Sequence, residues 1–358
     1  MFSRFNRLRQ YVKEHERHIS VGALLFGFVW DSITIGRADQ IFGNVVIVSY
    51  LTLNAGIILL LSLYEKRAEE YPVFLPALMQ FSFGNLAGGL LVIYGQSGSI
   101  DGSLLFFIIL LAFILGNELA RNLYSKFIFY ISAWYFLLFA YLAVVVPVFV
   151  GRLGALVFIL SGILSLVLVF TFLRLAQYIY PQKIVSQKKN SALAIGLIFI
   201  TFNGLYFKNI IPPVPLSLTE IGIYHYVERA EAGGDYFVTY EKPRWLSGFF
   251  RDTSAVFKTG SGSTAYCFSS IYAPVHLSTR VYHLWQYYDE GSGDWQTTTQ
   301  ISFPIAGGRS DGYRGYSVKE NITAGEWRCS VETGRGAIIG RTEFEVSSGT
   351  PNLSSKTF

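Results

Sequence analysis

The chain has 358 residues, of which 51% are hydrophobic, 16% aromatic and 15% charged; a soluble domain carries about 25% charged residues. Long apolar runs are confined to residues 1–208, which hold 16 Lys and Arg against 9 Asp and Glu (+7), while residues 209–358 hold 13 against 15 (−2). That split excludes a single soluble enzyme fold and a disordered tail protein. It also excludes a nucleic-acid binder, whose basic residues would cluster on one face rather than flank apolar segments.

Residues 1–18 read as a basic arm carrying Arg4, Arg7, Arg9, Lys13 and Arg17. About 20 apolar residues cross a bilayer as a helix, and seven such segments follow: 19–36, 41–63, 73–95, 103–120, 127–150, 153–175 and 191–208. No small-residue cleavage pattern follows the first segment, so it reads as a retained anchor rather than a signal peptide. Counted on alternating sides, one set of flanks holds 13 Lys and Arg, and the other holds Arg37 and Arg152. The positive-inside rule then predicts a cytoplasmic N-terminus, with everything after the seventh span outside.

Within 19–208, Gly84, Gly88, Ser161, Gly162 and Ser165 supply the small residues that let helices approach closely in lipid. Polar residues there are costly and hence informative. Asp31, Asn54, Gln80, Asn85 and Asn203 either line a polar pocket or tie helices together by hydrogen bonds. The second reading is favoured, because only Asp31 among them is ionisable. Glu118 and Arg121 stand three residues apart on one helix face, where a headgroup-level ion pair accounts for them.

Residues 209–218, with Pro212, Pro213 and Pro215, read as a short stiff stalk. Beyond it the apolar period drops to about two, with Gly, Ser and Asp turns between runs. Strands are expected at 221–229, 235–241, 264–273, 279–288, 295–303, 313–319, 325–333 and 337–346. Eight short strands indicate an antiparallel β-sandwich over 219–347, followed by a flexible tail, 348–358. The fold class is thus a membrane all-α bundle of seven helices followed by an all-β sandwich. The order Cys267, Trp285, Cys329 supports an immunoglobulin-like general architecture for the latter. The two cysteines either pair as a disulfide, if the domain faces an oxidising compartment, or stand as two separate small strand residues.

No catalytic constellation is present in the sequence: no metal-binding histidine spacing, nucleophile elbow or phosphate-cradling glycine loop. Neither a cofactor nor a metal is expected. Asp289, Glu290 and Asp294 crowd a glycine-rich turn that reads as a solvated hairpin tip. The candidates for contact with a partner are His283, Trp295, Arg309 and Arg314, with Trp245 placed to dip into the bilayer interface.

Four stretches carry a family resemblance: Val281-Tyr282-His283-Leu284-Trp285, Gly312-Tyr313-Arg314-Gly315-Tyr316-Ser317, Gly325-Glu326-Trp327-Arg328 and Gly340-Arg341-Thr342-Glu343-Phe344-Glu345-Val346. They resemble the bacterial domain of unknown function 2914. Gln80-Phe81-Ser82-Phe83-Gly84 and Gly116-Asn117-Glu118 are similar to the membrane half of the same proteins. The resemblance implies a bacterial envelope protein and brings no activity with it; with its spans the chain is expected in the inner membrane. Two functions remain open. In one, the outer sandwich recognises an envelope glycan, a lipid headgroup or a partner protein. In the other, the bundle is a carrier or a lipid-modifying enzyme, and the outer domain gates or recruits.

Overall fold

The structure is a computed structural model. It describes residues 29–30, 34–69, 71–72, 74–98, 100–119, 127–230, 235–243, 251, 253–259, 263–309 and 311–358, with the backbone alone at 100–102, 113–119 and 183. The chain divides into two compact units. One comprises 1–95, 104–147 and 155–208; the other comprises 96–103, 148–154 and 209–358.

Six long helices are present among the described residues: α1 (Ile41–Arg67), α2 (Phe74–Gln96), α3 (Ile100–Leu119), α4 (Phe127–Val150), α5 (Ala155–Ile179) and α6 (Pro181–Phe207). In α1, α2, α4, α5 and the Ile184–Phe207 part of α6, the apolar stretch is long enough to cross a membrane, and in α3 a shorter apolar segment, Ser103–Ala112, is described. The count is thus six helices where the sequence suggests seven spans. Most of the first expected span, 19–36, lies outside the described residues.

The helical unit is organised around α4. In α4, 72% of the apolar window is buried, against 33% in α1 and 22% in α6. Its rings carry the packing: Phe139 stacks on Phe202 at 4.6 Å and on Phe199 at 5.8 Å, and Trp134 lies 4.9 Å from Phe172. Lipid gives helices no hydrophobic reason to associate, so such van der Waals contact must hold them. Gly162 shows how close the approach is, since a Cβ there would meet the Phe199 ring at 2.8 Å. Trp134 Nε1 also donates to the Leu51 carbonyl (2.9 Å), and the Tyr94 hydroxyl donates to the Ala140 carbonyl (2.9 Å).

The β-domain has eleven strands: β1 (Ser217–Tyr224), β2 (Tyr226–Arg229), β3 (Tyr236–Glu241), β4 (Val256–Thr259), β5 (Ala265–Tyr272), β6 (Ser278–Asp289), β7 (Asp294–Ala306), β8 (Tyr313–Lys319), β9 (Gly325–Thr333), β10 (Ile338–Ser348) and β11 (Leu353–Thr357). They form three sheets, ordered β1-β5-β8, β4-β10-β9-β6-β7 and β11-β3-β2. Every pairing is antiparallel except β4 with β10. The first two sheets face each other over a core that includes Ile223, Phe257, Cys267, Trp285, Trp327, Cys329 and Phe344. A neighbouring part of that core holds Leu216, Ile271, Leu277, Val281, Ile305 and Val331. The small third sheet covers the far face of the first through Tyr224, Val227, Tyr236, Val238 and Phe268.

Three expectations are corrected. The run 221–229 is not one strand: it breaks at His225, so that β1 pairs with β5 while β2 pairs with β3. The proline stalk is not a segment apart from the domain, because Ile211, Val214 and Leu216 are buried and Leu216 joins the core. Nor is 348–358 a loose tail. Strand β11 pairs with β3, Lys356 reaches Glu220 at 2.8 Å, and Phe358 stacks on Phe268 at 4.9 Å. Its polar composition concealed a strand held by backbone bonds and two end contacts.

A buried histidine node and two exposed aromatic surfaces

Strand alternation decides which candidate side chains reach solvent. On β6, Val281, His283 and Trp285 point inward and all three are fully buried. His283 therefore cannot touch a partner, which corrects its place among the binding candidates. Its Nε2 lies 2.8 Å from Ser269 Oγ on β5, and its Nδ1 lies 2.9 Å from Ser317 Oγ on β8. Trp285 Nε1 donates to the same Ser317 Oγ (3.0 Å). The set is satisfied when Nε2 carries the ring proton and donates to Ser269, while the Ser317 hydroxyl donates to Nδ1 and accepts from Trp285. Burial pushes the His283 pKa down to about 3, so the ring is neutral.

Beside this node Cys267 of β5 is bonded to Cys329 of β9, tying the two facing sheets, and Trp285 stands in register with Cys329. The sulfur and nitrogen atoms of Cys267, Cys329 and His283 lie within 4.8 Å of one another. A metal would need thiolates, but these sulfurs are bonded to each other and both ring nitrogens are engaged by serines. Ser269 and His283 face each other like a nucleophile and its base, yet both are fully buried and no substrate can reach them. The node is a cross-sheet tie.

Two surfaces do present aromatic and cationic groups. On the solvent face of the five-stranded sheet, the Arg328 guanidinium lies 4.2 Å from the Trp295 ring centroid. Arg328 Nε donates to Gln286 Oε1 (2.7 Å), which helps to hold it over the indole. Arg328 itself was not singled out from the sequence as a contact residue. Its signal is alternation on β9, where Trp327 and Cys329 face the core and Arg328 faces out.

The second surface lies where β8 edges the three-stranded sheet. Tyr226, Tyr266, Tyr316 and Tyr236 follow one another with ring centroids 6.0, 6.0 and 6.3 Å apart. The Arg309 guanidinium sits 5.4 Å from the Tyr313 ring, and the Tyr236 hydroxyl donates to the Arg314 carbonyl (3.3 Å). Burial pushes the Tyr236 phenol up, against the pull of Arg229 and Arg309, so both cations lie within electrostatic reach of it. Glu228, Asp235 and Asp311 are exposed nearby in the chain, so the surface carries both signs of charge.

Arg309 and Arg314 thus fall on one surface and Trp295 on another. Trp245, Asp31, Glu118 and Arg121 lie outside the residues whose side chains are described. Three of the membrane amides spend their donors locally. Asn54, Asn85 and Asn203 each donate to the carbonyl four residues back, at 3.0, 2.8 and 2.8 Å. Asn54 Oδ1 also accepts from Ser82 Oγ (2.6 Å), joining α1 to α2. Asp289 Oδ1 accepts from the Gly291 amide at the β6–β7 tip, as a solvated hairpin would have it.

Membrane-crossing helices followed by a disulfide-tied β-sandwich define the class: a membrane protein with a β-sandwich domain. Residues 278–346, from β6 to β10, match the family model described as "Protein of unknown function (DUF2914)". No curated protein matches. Among solved structures, an immunoglobulin-like protein from Pseudomonas aeruginosa is 13% identical, covering 36% of this chain and 98% of its own, with a TM-score of 0.20. The alkylpurine DNA glycosylase AlkC of Pseudomonas fluorescens, solved bound to DNA containing an abasic-site analogue, is 10% identical. It covers 87% of this chain and 99% of its own, also with a TM-score of 0.20. At that score neither likeness bears on fold or activity.

Proposed function

We propose that the protein is a seven-span component of the bacterial inner membrane, with a cytoplasmic N-terminus and an immunoglobulin-like extracytoplasmic domain that recognises an envelope glycan. The observation that carries this is the tyrosine row on the β8 edge with Arg229, Arg309 and Arg314 around it. Tyrosines bring apolar ring surface and a hydroxyl at low entropic cost, and charged groups of both signs satisfy the many hydroxyls of a sugar. Tyr226 is 44% and Tyr316 38% exposed, which suits contact with a ligand better than core packing.

Two observations support the orientation. The Lys and Arg excess flanks one set of helix ends. Independently of charge, the connections 96–103 and 148–154 belong to the same compact unit as the β-domain, which supports placing them on its side of the membrane. The carrier reading gains nothing from Asn54, Asn85 and Asn203, whose amides donate to their own helices, with one further bond from Ser82 to Asn54 that ties α1 to α2.

The test uses the full-length protein in lipid nanodiscs, titrated with soluble fragments of envelope glycans. Saturable binding that falls at least tenfold in Tyr316→Ala and Tyr226→Ala, with the fold intact, supports the reading. Equal binding by these variants, or none by the wild type, overturns it. Capture of a protein or of a lipid headgroup at the same tyrosines would replace the glycan as the partner. Labelling of an introduced surface cysteine from one side of intact cells checks the orientation.

A further inference from the structure

One end of the β-domain is built from the residues that join it to the membrane-crossing helices. Gly151, between α4 and α5, accepts a hydrogen bond from the Ser278 amide (3.3 Å), and a Cβ at Gly151 would meet the His276 carbonyl at 2.6 Å. Leu153 of the same connection packs against the core beside Leu277 and Val281. After α2, Gly98 lies so close to Pro212 that a Cβ would meet its ring at 2.8 Å. After α6, Asn209 Nδ2 donates to the Arg335 carbonyl (2.8 Å). The turns touched are 273–278 and 333–337. The turn at 307–309 joins them, because the Gly307 amide donates to Leu277 (2.9 Å) and the Gly308 amide to Ala273 (3.2 Å).

Helices α4 and α5 are each long and apolar enough to cross a bilayer. The few residues linking them must therefore lie at its surface, where their open backbone groups meet water and headgroups. A turn hydrogen-bonded to that link lies at the same level.

The side chains of these turns are basic. Arg152, His276, Arg280 and Arg309 are exposed and Arg335 is half-buried. Against them stand Asp311 and, half-buried beside Gly336, Glu332. Val275, in the turn bonded to the link, is 61% exposed. Guanidinium groups present a fork of donors that matches phosphate oxygens, and basic residues close to an anionic leaflet gain about fivefold each in membrane partitioning.

We infer that this end of the β-domain is a docking surface for the phosphates of anionic phospholipid headgroups, with Arg152, Arg280 and Arg309 as the phosphate-facing cations and Val275 inserted among the headgroups. The lipid then fixes the orientation of the domain at the membrane. This surface meets the tyrosine row at Arg309, and the variants that test each, Arg152 and Arg280 here and Tyr226 and Tyr316 there, let either proposal fail without the other.

The experiment compares the full-length protein in nanodiscs of phosphatidylcholine alone and of phosphatidylcholine with phosphatidylglycerol, reading amide hydrogen exchange in the turns 273–278 and 307–309. Slower exchange in the anionic membrane is expected, by fivefold or more. It should be lost in the Arg152→Gln, Arg280→Gln double variant and retained in part by the corresponding lysine pair. Exchange that ignores lipid charge overturns the proposal, as does an undiminished difference in the glutamine pair. If the glutamine pair fails to assemble, raised salt with the wild type serves instead: loss of the protection supports the proposal and its persistence overturns it. Glycerol phosphate added to phosphatidylcholine discs separates the sources, because full protection by the free phosphate would remove the lipid surface as the occupant.

Discussion

Most hydroxyl and amide side chains of the helices bond locally, beside a few inter-helix bonds such as Trp134 to Leu51, whereas those of the β-domain bond across the fold. In the helices, Ser49, Thr52, Asn54, Ser62, Asn85 and Asn203 each donate to a carbonyl four residues earlier in the same helix. In the β-domain the bonds join distant parts of the chain: His283 to Ser269 and Ser317, Arg328 to Gln286, and Lys356 to Glu220 across a separation of 136 residues. A helix in lipid can accommodate a polar side chain without help from a neighbour, so such residues carry little tertiary energy. A sandwich has no such local option. Its buried polar groups must meet across layers, and the fold depends on each of them.

That contrast can be broken at several points, the largest first. Replacing Cys267 and Cys329 by Ala opens a cross-link spanning 62 residues, and the chain-entropy account gives a loss of about 4 kcal/mol. Denaturant unfolding followed by the fluorescence of the domain's tryptophans would show it. A loss under about 1 kcal/mol would mean that packing, not the bridge, holds the sheets together.

Ser317→Ala removes the partner of both His283 Nδ1 and Trp285 Nε1. Leaving those buried groups unpaired should cost about 1–3 kcal/mol in the same measurement. The histidine also makes stability depend on pH. Its folded pKa lies near 3, below the unfolded value of 6.5. Its stabilising contribution is therefore complete above pH 6.5 and is lost as pH falls toward 3, because only the unfolded chain takes up the proton. Below pH 6.5 the slope approaches about 1.4 kcal/mol per pH unit. Between pH 6.5 and 5, before most carboxylates titrate, His283→Gln should flatten that slope. An unchanged slope would show that another group is responsible.

Smaller effects test the edges of the comparison. Lys356→Met breaks the part-buried pair with Glu220 and should cost about 1 kcal/mol. Faster amide exchange confined to β11 would be the readout. In the helices, Asn203→Leu should change stability by less than about 0.6 kcal/mol, the average worth of a membrane hydrogen bond. A larger effect in a thermal assay of the purified protein would give that asparagine a tertiary role.

The division into an apolar helical region and a β-domain was legible because both signals are local. A run of about 20 apolar residues must form a helix in lipid to satisfy its own backbone, and the expected segment at 127–150 coincides with α4. Seven of the eight expected strands likewise correspond to observed ones, and the eighth, 221–229, takes in parts of two, because alternation marks a half-buried face. The strands that were missed lack that mark. Val256–Thr259 has four residues, and Leu353–Thr357 is mostly polar and paired on one side. The break at His225 was equally invisible, since a strand that changes sheets keeps its alternation while its partners change.

The candidate site was legible only in part. Arg309 and Arg314 are near in sequence, so their shared surface follows from one strand and its turn. The tyrosine row draws Tyr226, Tyr236, Tyr266 and Tyr316 from four strands, and no spacing announces it. His283 reads from the sequence as an available polar residue. Its burial depends on Ser269 and Ser317, on two strands of the opposite sheet, standing where its ring nitrogens need them. Composition and period alone determined that this chain enters a membrane and ends in strands, because hydrophobicity and pleat act residue by residue. Which strands pair, which polar groups meet across the core and which aromatics gather outside were decided only by tertiary structure, because each depends on residues brought together from distant parts of the chain.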